Sequence, residues 1–525
     1  MNIMKTIIER FFIYLLTIPL LLIACDDDFL DRGPLDTPTL ETFWETTEHA
    51  EMWVNSLYLG LGDVQRDFAF EGYSDNAWGR AGWGANNIAN GLFTTEDAKV
   101  WQNWDYRYIR LCLEFFEYID LVPDISQSKL DELTGQVRFI LAFQYYRLVT
   151  LYRDVPLVTK PLMIDESDVP KNSKEDVLKY ILDQLDLAIP KLPITWPSSE
   201  NGRITKGAAL ALKTRVLLFN NRWAEAAATA KEIMNLNEYE LHPNFEELFV
   251  AEFNNQTKEV ILAQQYAAVV NTHQIVRAFA PVYLGGFALI LPTPQLEQSF
   301  EMIDGLSIHE SPLYDHTNPF DNRDPRYYHT FIWHGRDYNG PILDLTGSEY
   351  RFAFTYLYFL KYVADLKDRF WPSHVNTIIF RYADVLLMYA EAQNEASGPD
   401  NSIYEALDLI RERAGMPPAD RDRYGTQATL REFIRNERRV ELAGEGLRYF
   451  DIIRWRIAEE VLNSTITSLD LENWSGMPVD SDGNPLLPLR PVATRTFNPN
   501  KHYVWPIPQN AIDRAVNLEQ HSEWE

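Results

Sequence analysis

Apolar positions along this chain fall mostly at helical spacing. Ala208, Leu212, Val216 and Phe219 recur at i, i+4, i+8 and i+11. After the tight joint Asn220-Asn221-Arg222, Trp223, Ala224, Ala226, Ala227 and Ala230 supply small residues that let two helices approach closely. This predicts a helix pair over 207–219 and 223–234. A second pair is predicted over 381–396 and 402–414. Tyr382, Leu386, Tyr389 and Gln393 line one face of its first helix, Gly398-Pro399 stops that helix, and Ser402 with Glu405 caps the next. Further helices are expected from Phe43-Trp44 to about Leu61, over 101–121, near 129–153, and over 173–190 behind a Ser173/Asp176 capping box. Trp101, Trp104, Tyr108 and Phe115 share helical spacing and read as core. Strand signals are few: Val260–Ala267, Tyr327–Trp333 and Tyr503–Pro506. Residues 62–100 are rich in Gly and Asn and read as an insert.

The two helix pairs look like tetratricopeptide units at no constant period, because long inserts separate them. The fold class is therefore mainly α, a helical-repeat scaffold carrying loops.

The first residues follow a different logic. Lys5 and Arg10 precede an apolar run from Phe11 to Ala24, interrupted by Pro19. The run is shorter than the ~20 residues a bilayer span needs, and suits a signal-peptide core. It ends Leu22-Ile23-Ala24-Cys25, followed by Asp26-Asp27-Asp28. That is a bacterial lipobox, with residues 1–24 removed and Cys25 lipidated. No later stretch is apolar enough to span, which excludes a polytopic membrane protein. The remaining cysteine, Cys112, lies between Leu111 and Leu113 and reads as packing. One such residue supports neither a disulfide framework nor a Cys-rich zinc site.

The chain has 525 residues and a formal net charge of −28, which argues against nucleic acid and anionic lipid as partners. Aromatic residues make up 13%, so many rings must fill the core or line a surface.

Catalytic chemistry finds little support. Gly-x-Ser-x-Gly, His-Glu-x-x-His, Gly-x-Gly-x-x-Gly and phosphate-loop motifs are missing, and the histidines show no metal spacing. No catalytic residue, metal or cofactor is implied. Glu437 and Glu441 share a helix face with Leu430, Phe433 and Ile434. They read as a buried ion network, with Arg438, Arg439, Arg448 and Arg454 nearby and Thr429 with Glu432 capping the helix, rather than as a glycosidase pair. The Asp321–Asp324 turn reads as solvated.

Two aromatic loop clusters are better candidates. Residues 72–91 have no apolar period. They hold Trp78 and Trp83 among glycines, with Asp75, Asn76, Arg80, Asn86 and Asn87. Sugars stack C–H faces on such rings while their hydroxyls need amide, carboxylate and guanidinium partners. The same rings would serve equally to anchor the loop. Residues 279–345 hold Phe279, Tyr283, Gly285-Gly286-Phe287, Trp333, His334, Arg336, Asp337 and Tyr338. Trp333 and Tyr338, with Tyr283 behind, are expected on the second side of a binding arc, or in the core.

Several ordered blocks resemble one family. They are Asp28-Phe-Leu-Asp31, Phe43-Trp44, Arg138 through Tyr145-Tyr146 to Pro156, Asn322-Arg-Asp-Pro-Arg326, and Arg381-Tyr-Ala-Asp384 through Glu391. Asn436-Glu-Arg-Arg-Val-Glu441, Glu445-Gly446 with Arg448 and Asp451, and Tyr503-Val-Trp-Pro-Ile-Pro508 follow. Together they resemble the SusD/RagB surface lipoproteins over nearly the whole mature chain. The resemblance implies one SusD-like domain over 25–525, mainly α with tetratricopeptide-like helix pairs plus an irregular, loop-rich half, and with an N-terminal part about 25–240 and a C-terminal part about 260–525. It also implies lipid attachment through Cys25 to the outer face of the outer membrane, and a SusC-like TonB-dependent transporter as partner. The implied ligand is an oligosaccharide, bound and delivered without catalysis. A peptide or other non-sugar cargo is the alternative, and a surface glycoside hydrolase a more remote one.

Overall fold

The computed structural model describes residues 43–80, 85–254, 257–282, 285–315, 317–337, 354–363, 373–470 and 489–525. The leader, Cys25 and the blocks before Phe43 lie outside them.

The principal helices are α1 Thr47–Leu57, α2 Arg107–Tyr118, α3 Gln127–Tyr152, α4 Lys174–Ala188, α5 Lys206–Phe219, α6 Trp223–Asn235, α7 Tyr382–Ser397, α8 Asn401–Ala414, α9 Gln427–Glu441 and α10 Arg448–Arg454. They pack as antiparallel neighbours: α3 on α4, α5 on α6, α7 on α8, with α6 and α9 both laid against α7. Buried Ala226, Ala227 and Ala230 of α6 permit the close approach their size predicts. One apolar cluster runs from Trp44 in the first turns to Trp505 near the last. Cys112 is fully buried in it, and that burial pushes its thiol pKa well up. Among the described residues no helix is long and apolar enough to cross a membrane.

Among the described residues eight short strands form four antiparallel pairs: β1 Ala77–Gly79 with β3 Ile290–Pro292, β2 Val260–Gln264 with β6 Thr377–Arg381, β4 Phe331–Trp333 with β5 Leu357–Phe359, and β7 Thr465–Leu469 with β8 Leu489–Thr494.

Local capping explains most boundaries, including those that differ from expectation. Ser173 accepts from Asp176 N as predicted. Ahead of α8, however, the cap is Asp400, which accepts from Ser402 N and Ile403 N. A carboxylate two residues earlier outcompetes the Ser402 hydroxyl. Likewise α9 starts behind Thr426, which accepts from Thr429 N. The expected 101–121 helix is broken at Trp104, whose ψ of 71° is not helical. Trp101 therefore sits on a separate short helix, Ala98–Asn103, and is 46% exposed, whereas Phe115 is buried. The insert 62–100 also contains a helix, Val64–Gly72, capped by Asp63. The strand expected over 327–333 begins as the helix Pro325–Thr330, because Asp324 caps it and Pro325 presets the first turn. No strand forms at 503–506. Trp505 is instead held by its N–H to Leu151 O at 2.8 Å and by its indole N–H to the Tyr449 hydroxyl at 2.8 Å.

Candidate functional site

The two aromatic loop clusters meet. The helix Val64–Gly72 delivers the chain into a buried bend, Tyr73–Asn76, and then into β1. Trp78 pairs with Leu291 in the β1–β3 register. The Arg80 N–H then donates to Leu289 O at 2.8 Å, and its guanidinium to Phe287 O at 2.9 Å. Segments far apart in sequence thus share one joint.

Inside the joint, polar groups are consumed by structure. Asp75 accepts from Arg448 at 2.9 and 3.0 Å and pairs with Arg439 at 2.9 Å. Burial pushes its pKa up, but the two guanidiniums outweigh burial and hold the carboxyl well below its ordinary range. Asn76 donates to Glu71 at 2.9 Å and accepts from Arg439 at 2.7 Å. Arg495 fastens the bend from below through Ala77 O at 2.8 Å. Trp78 is only 5% exposed. Its ring lies 4.5 Å from Phe354 and in a cluster with Leu291, Ile332 and Tyr358. Trp333 is 8% exposed among Phe320, Tyr327 and Tyr328, with the Arg336 guanidinium 4.7 Å over its ring. Asp75, Asn76, Trp78 and Trp333 therefore support the face from within.

The outer rim is different. Phe287 is 40% exposed, and Arg277 stacks 4.1 Å over its ring. Gly286 precedes it because a Cβ there would meet Ala280 O at 2.1 Å. Asn86 is half-buried, and Asn87 is exposed and donates to Asp97 at 2.9 Å. Trp83, Tyr283 and Tyr338 lie outside the described residues. Arg277 had no signal in the sequence beyond its place before Phe279. Phe287 was marked by Gly285-Gly286.

The face offers a planar ring, guanidiniums and amides. Among the described residues it offers no carboxylate pair. Glu437 and Glu441 are buried elsewhere, in a lattice of arginines. Glu437 accepts from Arg326 at 2.5 Å and Arg411 at 2.9 Å. Glu441 accepts from Arg326 at 3.0 Å, from Arg381 at 2.6 Å, and from Arg413. Burial raises both pKa values, but these cations outweigh it and pull both carboxyls below the ordinary range. A glycosidase acid needs the opposite shift. The partners come from distant elements rather than from the neighbouring arginines. Arg438 pairs with Asp384 and Asp451, Arg454 with Glu391 and Asp451, and Arg448 with Asp75. The Asp321–Asp324 turn is not solvated throughout: Arg323 is buried against Glu297 and Asp324 against Arg326. Among the described residues no His, Cys, Asp and Glu cluster is arranged for a metal.

Comparison with known proteins matches this architecture. A profile of the SusD family covers residues 248–524, and one described as "Starch-binding associating with outer membrane" covers residues 28–218. A SusD-like carbohydrate-binding protein of Bacteroides fragilis is 30% identical, with a TM-score of 0.83 over 91% of this chain and 100% of its own. A laminarin-binding SusD-like protein shares the fold at 21% identity and a TM-score of 0.65, over 91% of this chain and 100% of its own. SusD-like protein P25 of Formosa agariphila is 26% identical over 83% of this chain and 88% of its own. The chain belongs to the SusD family.

Proposed function

We propose that this protein captures an oligosaccharide on the outer-membrane surface, held there by lipid on Cys25, and passes it to a SusC-like TonB-dependent transporter without hydrolysing it. The observation that carries this reading is the joint of β1 and β3, which places Arg80, Phe287 and Arg277 together at the edge of a supported face. Trp83 follows Arg80 by three positions, and Tyr283 precedes Phe287 by four. On this reading Trp83, Tyr283, Tyr338, Arg80, Asn86 and Asn87 contact the ligand, while Asp75, Asn76, Trp78 and Trp333 hold the face in shape. The family, and the carbohydrate binding of its Bacteroides fragilis member, support a glycan over a peptide.

Binding of the chain from residue 26 to a glycan panel, with reducing-end release followed in parallel, tests the proposal. A bound glycan with no release is the expected result. Release of reducing ends, or peptide binding with no glycan bound, overturns it. Co-purification of a TonB-dependent transporter with tagged, lipidated protein tests the partner, and a preparation without one counts against it.

A further inference from the structure

A second cleft, of about 420 Å³, lies between the 194–205 connection, the segment at 238–239 and β2. It shares no lining residue with the β1–β3 face, and its volume falls in the range that holds small ligands. Two half-buried rings line it, Trp196 and Tyr239. Each is fixed by its polar handle. The Trp196 indole N–H donates to Ile204 O at 2.9 Å, and the Tyr239 hydroxyl lies 3.1 Å from the Thr205 hydroxyl.

The floor is made of amides. Asn254 is 2% exposed; its amide nitrogen donates to Asn376 O at 2.7 Å, while its Oδ1 has no hydrogen-bond partner among the described residues. Gln265 accepts from the Asn376 side-chain nitrogen at 3.0 Å and donates to Ala263 O at 3.2 Å. Fully buried Asn376 thus orients both amides, and is itself held by Tyr266 N at 2.7 Å. Charge in the cleft is nearly balanced. Arg203, Lys258 and Glu238 line it; Arg203 is already paired with Glu200 at 2.7 Å and Lys258 with Glu240 at 3.6 Å.

Oriented rings, fixed amides and little net charge are what an uncharged polyhydroxylated ring requires. We infer that this cleft is a second, separate binding site for a neutral saccharide of one or two units. Its ligand class rests on the function proposed above, but its residues do not, so loss of binding at one site is distinguishable from loss at the other.

The test is titration calorimetry of the chain from residue 26 with malto-, laminari-, xylo- and manno-hexaose. Wild type is compared with Trp196→Ala, Gln265→Ala and Phe287→Ala, each checked for native circular dichroism. Gln265 is part-exposed and Trp196→Phe is conservative, so both serve if Trp196→Ala does not fold. The expected result is at least one bound hexaose whose affinity drops about tenfold in Trp196→Ala, the size of one lost stacking contact, and also weakens in Gln265→Ala. Loss in Phe287→Ala alone overturns the second site and leaves the first. Loss in Trp196→Ala alone supports the second and counts against the first. Failure of all four hexaoses to bind wild type overturns the saccharide assignment, as does Trp196-dependent binding of a peptide.

Discussion

One guanidinium nitrogen of Arg326 bridges two carboxylates: it donates to Glu437 at 2.5 Å and to Glu441 at 3.0 Å. The bridge ties the helix Pro325–Thr330 to α9. Arg326→Met removes it and leaves three buried carboxylates, Glu437, Glu441 and Asp324, short of a cation. We expect a loss of about 3 kcal/mol, read by urea denaturation, with no change in the rate of glycan hydrolysis above background. A loss below about 1 kcal/mol would show that Arg381, Arg411 and Arg413 suffice alone.

The C-terminal segment carries two buried histidines, His502 and His521, both pushed down to about 4, first by burial and then by nearby cations. The unfolded imidazole takes up its proton near 6.5. Stability is therefore full above that value and falls as pH drops from about 6.5 towards 4. His502→Gln with His521→Gln is expected to flatten this slope in denaturation curves taken across that window. An unchanged slope would assign the loss to other groups.

Gly286→Ala places a Cβ against Ala280 O. The backbone must move, at a cost of roughly 1–3 kcal/mol, and Phe287 moves with it. Glycan affinity is expected to fall with stability. Phe287→Ala is expected to weaken affinity about tenfold while leaving the melting temperature nearly unchanged. Equal melting losses in both variants would make Phe287 a packing residue.

Asp400→Ala is expected to cost about 1–2 kcal/mol, since it uncaps two amides of α8 and releases Gln393. Ser402→Ala should cost less. The reverse order in thermal melts would return the cap to Ser402.

That pair of residues illustrates what the sequence makes legible. Helix bodies follow from periodicity, so α5 and α6 were readable from Ala208 to Ala230, and Ser173 marked α4. Caps are decided between neighbours a few atoms apart, and pattern does not choose between Asp400 and Ser402. The loop residues were harder still. Trp78 and Phe287 both sit beside glycine, yet one is buried and one is exposed. Their fates depend on Phe354 and Ala280, partners that no local spacing announces. Trp101 was misread for a related reason: a single non-helical residue, Trp104, moved it off the face that Phe115 occupies.

The contact between Arg80 and Phe287 joins positions 207 apart. Closing so long a loop carries a large entropy cost before any contact repays it, whereas the helix hairpins close locally. Ligand competence is therefore a late event in the protein's own timeline. After dilution from denaturant, the helical signal should return first and glycan binding only after a lag. If both return together, the joint forms with the helices. On the proposed function, a chain released early from its folding would look helical and bind no glycan, so binding would itself report that folding has finished.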